Sequence, residues 1–136
     1  RSSQWQETYT LLKDNWFKGA GFNAYQIKLA PYHKTAWLEI FLYPHNIFLN
    51  FWVELGLLGL LAFLLILYFI GQEIKKLFFE KNNLSWPLLI FWLIWLIHGL
   101  ADVPYFKNDL SLLFFIFLAL TARARNIKTI YKEVEF

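Results

Sequence analysis

The chain has 136 residues, of which 58% are hydrophobic and 21% aromatic, with a net charge of +3 and a mean hydropathy of +0.39. A soluble domain this small leaves much of its chain at the surface and could not hide so much apolar area; disorder needs the opposite composition, so both are excluded. No Cys is present, which removes disulfides and thiolate metal sites, and with no Met and Arg at residue 1 the sequence reads as a processed chain or a piece of something longer, its opening too polar for a signal peptide.

Residues 1–46 come first and mix polar residues with aromatic and aliphatic ones. Ser3 to Gln6 fits a capping box, and Trp5, Tyr9, Leu12 and Trp16 follow at helical spacing. This predicts an amphipathic helix from about Gln4 to Asn15, lying on a membrane surface or on other helices. Gly19-Ala20-Gly21 ends it in a flexible turn, too short for a phosphate loop and following no strand. A second helix-prone piece, about Thr35 to Leu42, leads to Tyr43-Pro44-His45-Asn46, where Pro44 disfavours helix at Tyr43.

Three apolar runs follow. The first, 47–70, has Glu54 as its one Asp, Glu, Lys, Arg or His, and it is long enough to cross a bilayer. The second is 84–101, with Pro87 placed where a first helical turn tolerates it. The third, 110–124, is short for a crossing. None alternates as a barrel strand would, and within a bilayer only helices or closed barrels satisfy the backbone. The expected fold is therefore all-α: a polytopic membrane helical protein with about three transmembrane helices and an amphipathic outer segment. Of the 13 Lys and Arg, all but Arg123 lie outside the three runs, in the segments that flank them. Those of loop 71–83 and of tail 125–136 share one side if all three runs cross, and the positive-inside rule makes that side cytoplasmic. Residues 1–46 and the short loop 102–109 then face outward. The five bases of the outer segment, Arg1, Lys13, Lys18, Lys28 and Lys34, obey the rule only partly and suit an anionic ligand. Bases that flank apolar runs, rather than forming a stripe on a soluble face, argue against nucleic acid as a partner.

Several residues could carry chemistry. His45 lies at the outer mouth of the first run, beside a helix start. An imidazole accepts a proton near neutral pH and a helix N-terminus favours anions, so a proton acceptor and an anionic leaving group could share this place. The alternative is an interfacial His in an N-cap role. Arg1 could hold phosphate through its guanidinium or be a solvated terminal charge. Glu54, within an apolar run, is either functional or paired near the headgroups. Gly56 and Gly59 suit close helix packing. His98 and Asp102, four apart, share one helical face if the helix continues. Zinc is conceivable there, but no third ligand has metal-site spacing, so local hydrogen bonding is the simpler reading. Trp5, Trp16, Trp37 and Trp52 fit an interfacial aromatic belt, or could stack on sugars.

Pro44-His45-Asn46-Ile-Phe-Leu49, followed by Glu54-Leu-Gly56-Leu-Leu-Gly59, resembles the O-antigen ligase and polymerase superfamily of bacterial membrane proteins. Arg1-Ser-Ser-Gln-Trp5 is similar to that family's Arg-x-x-x-Trp, and Lys18-Gly19-Ala-Gly21-Phe22 to its Gly-x-Gly turn, although Trp16-Phe17 stand where many members have Pro. His98-Gly-Leu-Ala-Asp102 resembles a stretch near the C-terminus of some members. The resemblance implies the C-terminal portion of a larger protein in the bacterial inner membrane, with its site on the periplasmic face. It implies transfer of a glycan from an undecaprenyl-pyrophosphate carrier to a glycan or lipid A core acceptor, without metal or cofactor. By the same resemblance His45 is the base, Arg1 holds the pyrophosphate, and Asn46, Glu54 and Asp102 support them. Such a piece is expected to be inactive without the rest of its polypeptide. A polymerase of the superfamily is one alternative reading; a non-catalytic helical subunit or transporter portion is another.

Overall fold

The computed structural model describes residues 2–33, 39–104 and 108–134. The order is α1 (Ser2–Asp14), α2 (Tyr25–Leu29), a 3₁₀ turn (Ala30–Tyr32), α3 (Ile47–Phe79), α4 (Ser85–Gly99) and α5 (Asn108–Val134). The fold is all-α, with no strand among the described residues. Two compact units divide the chain: Arg1–Leu64 with His98–Val103, and Leu65–Ile97 with Pro104–Phe136.

In the first unit, Leu11, Leu12, Tyr25, Leu29 and Val53 form the core. Helix α1 turns Gln4, Glu7, Thr8, Leu11 and Leu12 inward, while Trp5, Tyr9 and Trp16 stay exposed. The aromatic stripe of the sequence is thus an outer face. The buried face carries polar side chains that find partners inside: Thr8 donates to the Gln4 carbonyl and shares a 2.7 Å bond with the Tyr25 hydroxyl, and Glu7 meets His33 at 2.9 Å, while Gln4 Oε1 has no partner among the described residues. Because α1 already includes Ser2, Ser3 lies inside its first turn and is not the cap that its spacing from Gln6 predicts. Helix α2 escapes the sequence reading because five residues are too few to show a period. Of the expected helix 35–42, residues 39–42 are non-helical and the rest lie outside the described residues.

The first apolar run, 47–70, is not one straight helix. Gly56 breaks α3 with φ 73° and ψ −171°. Phe63 stacks on Phe51 at 4.2 Å and packs on Phe48 at 5.7 Å. A straight helix would hold Phe51 and Phe63 about 18 Å apart at its usual rise per residue, so the chain doubles back at Gly56. Past the break, α3 runs on to Phe79.

The second unit packs α4 against α5 through rings. Phe91 stacks on Phe117, and Trp92 and Trp95 meet Phe114. Within this apolar contact, the buried Trp92 Nε1 donates to Thr121 Oγ1 at 3.0 Å. Asn82 starts α4 by accepting from the Leu84 amide and donates to the Ala124 carbonyl at 3.1 Å. Many large apolar side chains of α3, α4 and α5 are exposed, among them Leu58, Leu61, Tyr68, Ile94, Ile97 and Leu112. Among the described residues, one helix, Ile47–Phe79, is long and apolar enough to cross a membrane, and Ser85–Gly99 is a shorter apolar helix.

Candidate active site at the start of helix α3

The approach to α3 is fixed from α1. Gln4 Nε2 donates to the Tyr43 carbonyl at 2.9 Å, and Trp5 Nε1 donates to the Pro44 carbonyl at 2.8 Å. These two bonds clamp the residues just before His45. His45 itself takes the left-handed conformation, with φ 49°, which is uncommon for a residue with a Cβ. That turn lets Asn46 cap the helix. Its Oδ1 accepts from the amides of Phe48 and Leu49, both at 3.1 Å, which satisfies two of the orphan donors of a helix start. The cap role is therefore filled by Asn46, and the His45 ring points elsewhere.

His45 Nδ1 lies 3.4 Å from Asp102 Oδ1. A carboxylate only accepts, so the imidazole nitrogen facing it carries the proton, and Nε2 is left as the basic nitrogen. Among the described residues Nε2 has no hydrogen-bond partner. The Phe41 and Tyr43 rings meet His45 edge-on, at 5.1 and 4.7 Å. Asp102 sits on the turn that ends α4, where it also accepts from the Val103 amide at 2.9 Å. That turn docks on the start of α3 in two ways. Asn46 Nδ2 donates to the Leu100 carbonyl at 3.3 Å, and a Cβ at Gly99 would come within 2.9 Å of the Ile47 side chain. Residues 57 positions apart in sequence are thus brought into one small site.

A second feature anchors the other end of the same segment. At the Gly56 break the Leu57 amide loses its helical partner and donates instead to the Phe17 carbonyl at 3.0 Å. The Val53 carbonyl, released in the same way, accepts from Ala20 at 2.7 Å and Gly21 at 3.2 Å. Residues 17–21 therefore replace the missing helical bonds. A Cβ at Gly19 would overlap the Val53 and Trp52 carbonyls, and one at Gly56 would overlap the Phe17 carbonyl. Trp52 Nε1 donates to the Trp16 carbonyl at 2.6 Å. Glu54, buried to 8% exposure, accepts from the Asn23 amide at 2.5 Å. Glu54 thus holds the turn against the broken helix and lies away from the His45 end.

The structure brings His45, Asn46 and Asp102 together and puts Glu54 two turns further along. Arg1 lies outside the described residues. Among the described residues no three His, Cys, Asp or Glu side chains are grouped to hold a metal ion.

Residues 1–64 match the family model described as O-antigen ligase. No curated protein and no solved structure matches the chain. The O-antigen ligase family is membrane-associated and falls among ligase- and polymerase-like glycosyltransferases. The matched segment ends where the first stretch of the first compact unit ends, at Leu64. It includes His45, Asn46, Glu54 and both sides of the Gly56 break. Asp102 lies outside the match and joins the site through the fold. Sequence reasoning misses the clamp from Gln4 and Trp5. Its signal is the Trp5 in the Arg-x-x-x-Trp pattern, whose indole N–H asks for a partner when its ring is partly covered.

Proposed function

We propose that the chain is part of a ligase that transfers a glycan from an undecaprenyl-pyrophosphate carrier to an acceptor hydroxyl, such as one on lipid A core. The observation that carries the reading is His45, with Nδ1 on Asp102 and Nε2 without a partner among the described residues. In this reaction the acceptor oxygen attacks the anomeric carbon while the bond from that carbon to the pyrophosphate breaks. Nε2 takes the hydroxyl proton, and Asp102 stabilises the imidazolium so formed. General base help of this kind contributes about 10²–10⁴-fold. The departing undecaprenyl pyrophosphate keeps the electron pair of the broken bond and needs a cation. Arg1, four positions before the clamping Trp5 in sequence, is the residue proposed for that role.

The proposed setting is the bacterial inner membrane. The part of α3 after Gly56 crosses it, with α4 and α5 completing three crossings, and residues 1–46 and 102–109 lie outside. The apolar side chains exposed on α3, α4 and α5 support this arrangement, since lipid or further helices of the same polypeptide would cover them. Their near-uniform apolar character, with polar groups gathered around His45, favours a transferase over a transporter, whose polar groups belong at the bilayer midplane.

The test is His45→Ala in the full-length gene product, with membrane expression confirmed and surface and lipid-linked glycan followed on gels. Loss of mature glycan with build-up of long lipid-linked chains is the result expected of a ligase. Build-up of single repeats identifies a polymerase instead. Unchanged glycan at normal expression removes His45 from the chemistry.

A further inference from the structure

Asp102 is shared between two imidazoles. Its Oδ1 faces His45, and its Oδ2 lies 3.9 Å from His98 Nε2. His98 and Asp102 are locked on one turn, because the amides of Ala101 and Asp102 both donate to the His98 carbonyl at 3.0 Å. Gly99 and Leu100, between them, are the residues that dock on α3. The contacts from His45 and the Val103 amide both fall on Oδ1 and fix that oxygen. On the Oδ2 side, His98 is one of the groups that set the plane of the carboxylate. At 3.9 Å the His98 imidazole nitrogen faces Oδ2 from just beyond hydrogen-bond distance.

We infer that His98 is a positioning residue for glycan transfer, acting through Asp102 by fixing the carboxylate orientation that holds the His45 ring. The inference rests on the proposed role of His45 as base. The His98 side chain is 53% exposed, so replacing it does not open the core.

The test uses the full-length gene product in host membrane vesicles that carry their own lipid-linked glycan, with host lipid A core added at increasing concentration. His98→Ala should lower the maximal transfer rate about three- to tenfold, a coupling of the usual size for neighbouring groups. The acceptor concentration at half-maximal rate should not change. His98→Gln, which keeps an N–H donor, should recover most of the rate. In an Asp102→Asn background, His98→Ala should have no further effect. An equal loss in both backgrounds, or a wild-type rate for His98→Ala beside an inactive His45→Ala, overturns the inference and leaves the base assignment standing. Activity in His45→Ala overturns the assignment of His45 itself.

Discussion

The two units of the chain are built from different kinds of contact. In the first, side chains bond to main-chain atoms far away in sequence: Gln4 to Tyr43, Trp5 to Pro44, Gln26 to Ile40 and Trp52 to Trp16. In the second, rings stack on rings, and Trp92 to Thr121, Asn82 to Ala124 and Arg125 to Glu80 add long-range polar bonds beside them. Ring packing is tolerant of small shifts, whereas a hydrogen bond to a carbonyl fixes both distance and direction. The first unit is therefore made to hold backbone in unusual shapes, the left-handed His45 and the break at Gly56, and the second to fill space. A site that must aim one nitrogen at a substrate belongs in the first kind of structure.

The sharpest way to break this contrast is to exchange two glycines of the same helix. Gly56 occupies a backbone region that is essentially confined to glycine, and its Cβ would strike the Phe17 carbonyl. Gly56→Ala should cost about 3 kcal/mol, combining backbone strain with the clash. It should also abolish transfer, because the 17–21 turn can no longer dock. Gly71, in the second unit, has regular helical backbone, and a Cβ added there would meet nothing within 4 Å. Gly71→Ala should stabilise by about 0.5–1 kcal/mol through helix propensity alone. Thermal unfolding of both variants in detergent checks the opposite signs, and a destabilising Gly71→Ala would remove the claim that the second unit is the tolerant one.

Next in size is Thr121→Val. It leaves the Trp92 N–H buried without its partner, which should destabilise by about 1–3 kcal/mol. Trp92→Phe made together with it should restore much of that loss, since both polar groups are then gone. A double variant as unstable as Thr121→Val alone would show that the indole's bulk, and not its N–H, is what the second unit needs.

Trp5→Phe is smaller in stability and larger in activity. It keeps an aromatic ring on the exposed face of α1 but removes the bond to the Pro44 carbonyl. The expected destabilisation is about 0.5–1.5 kcal/mol. Transfer should fall more steeply than that, because the lost bond clamps the residue next to His45. Comparing transfer rate with melting temperature in the same preparation decides this: if the two fall in proportion, the clamp serves stability only.

These residues also show how far the sequence can be read. The all-α class follows from runs of Leu, Ile and Phe that lack any alternation. The importance of Pro44-His45-Asn46 follows from a break beside a helix start. The fold of the first run does not, because a break needs only one glycine when the missing bonds are supplied from elsewhere, and the supplier, residues 17–21, lies more than thirty positions away. The inward face of α1 is hidden from the sequence for a related reason. Thr8 and Glu7 look like solvent residues until Tyr25 and His33 are brought to them. The meeting of Asp102 with His45 is likewise a property of the fold, since no spacing rule links positions so far apart.

The smallest effect tests whether that buried polar face of α1 is as closed as its pairing implies. Burial raises the pKa of the Tyr25 phenol above its ordinary 10.0, and its side-chain hydrogen bonds with Thr8 and Gln4 offset only part of this. The unfolded chain therefore releases this proton first as the solution becomes alkaline. The folded state holds more protons across that window, so the contribution of Tyr25 is fully present below pH 10 and is lost as pH rises through the higher folded value. Tyr25→Phe should remove this alkaline decline, at a cost near neutral pH of about 1 kcal/mol for the lost bond to Thr8. Melting curves of the two proteins, taken from about pH 8 to 11, should run parallel at first and then converge (the pH range brackets the ordinary phenol pKa). Curves that stay parallel throughout would mean that water reaches Tyr25 and that the first unit is looser around α1 than its bond to Thr8 requires.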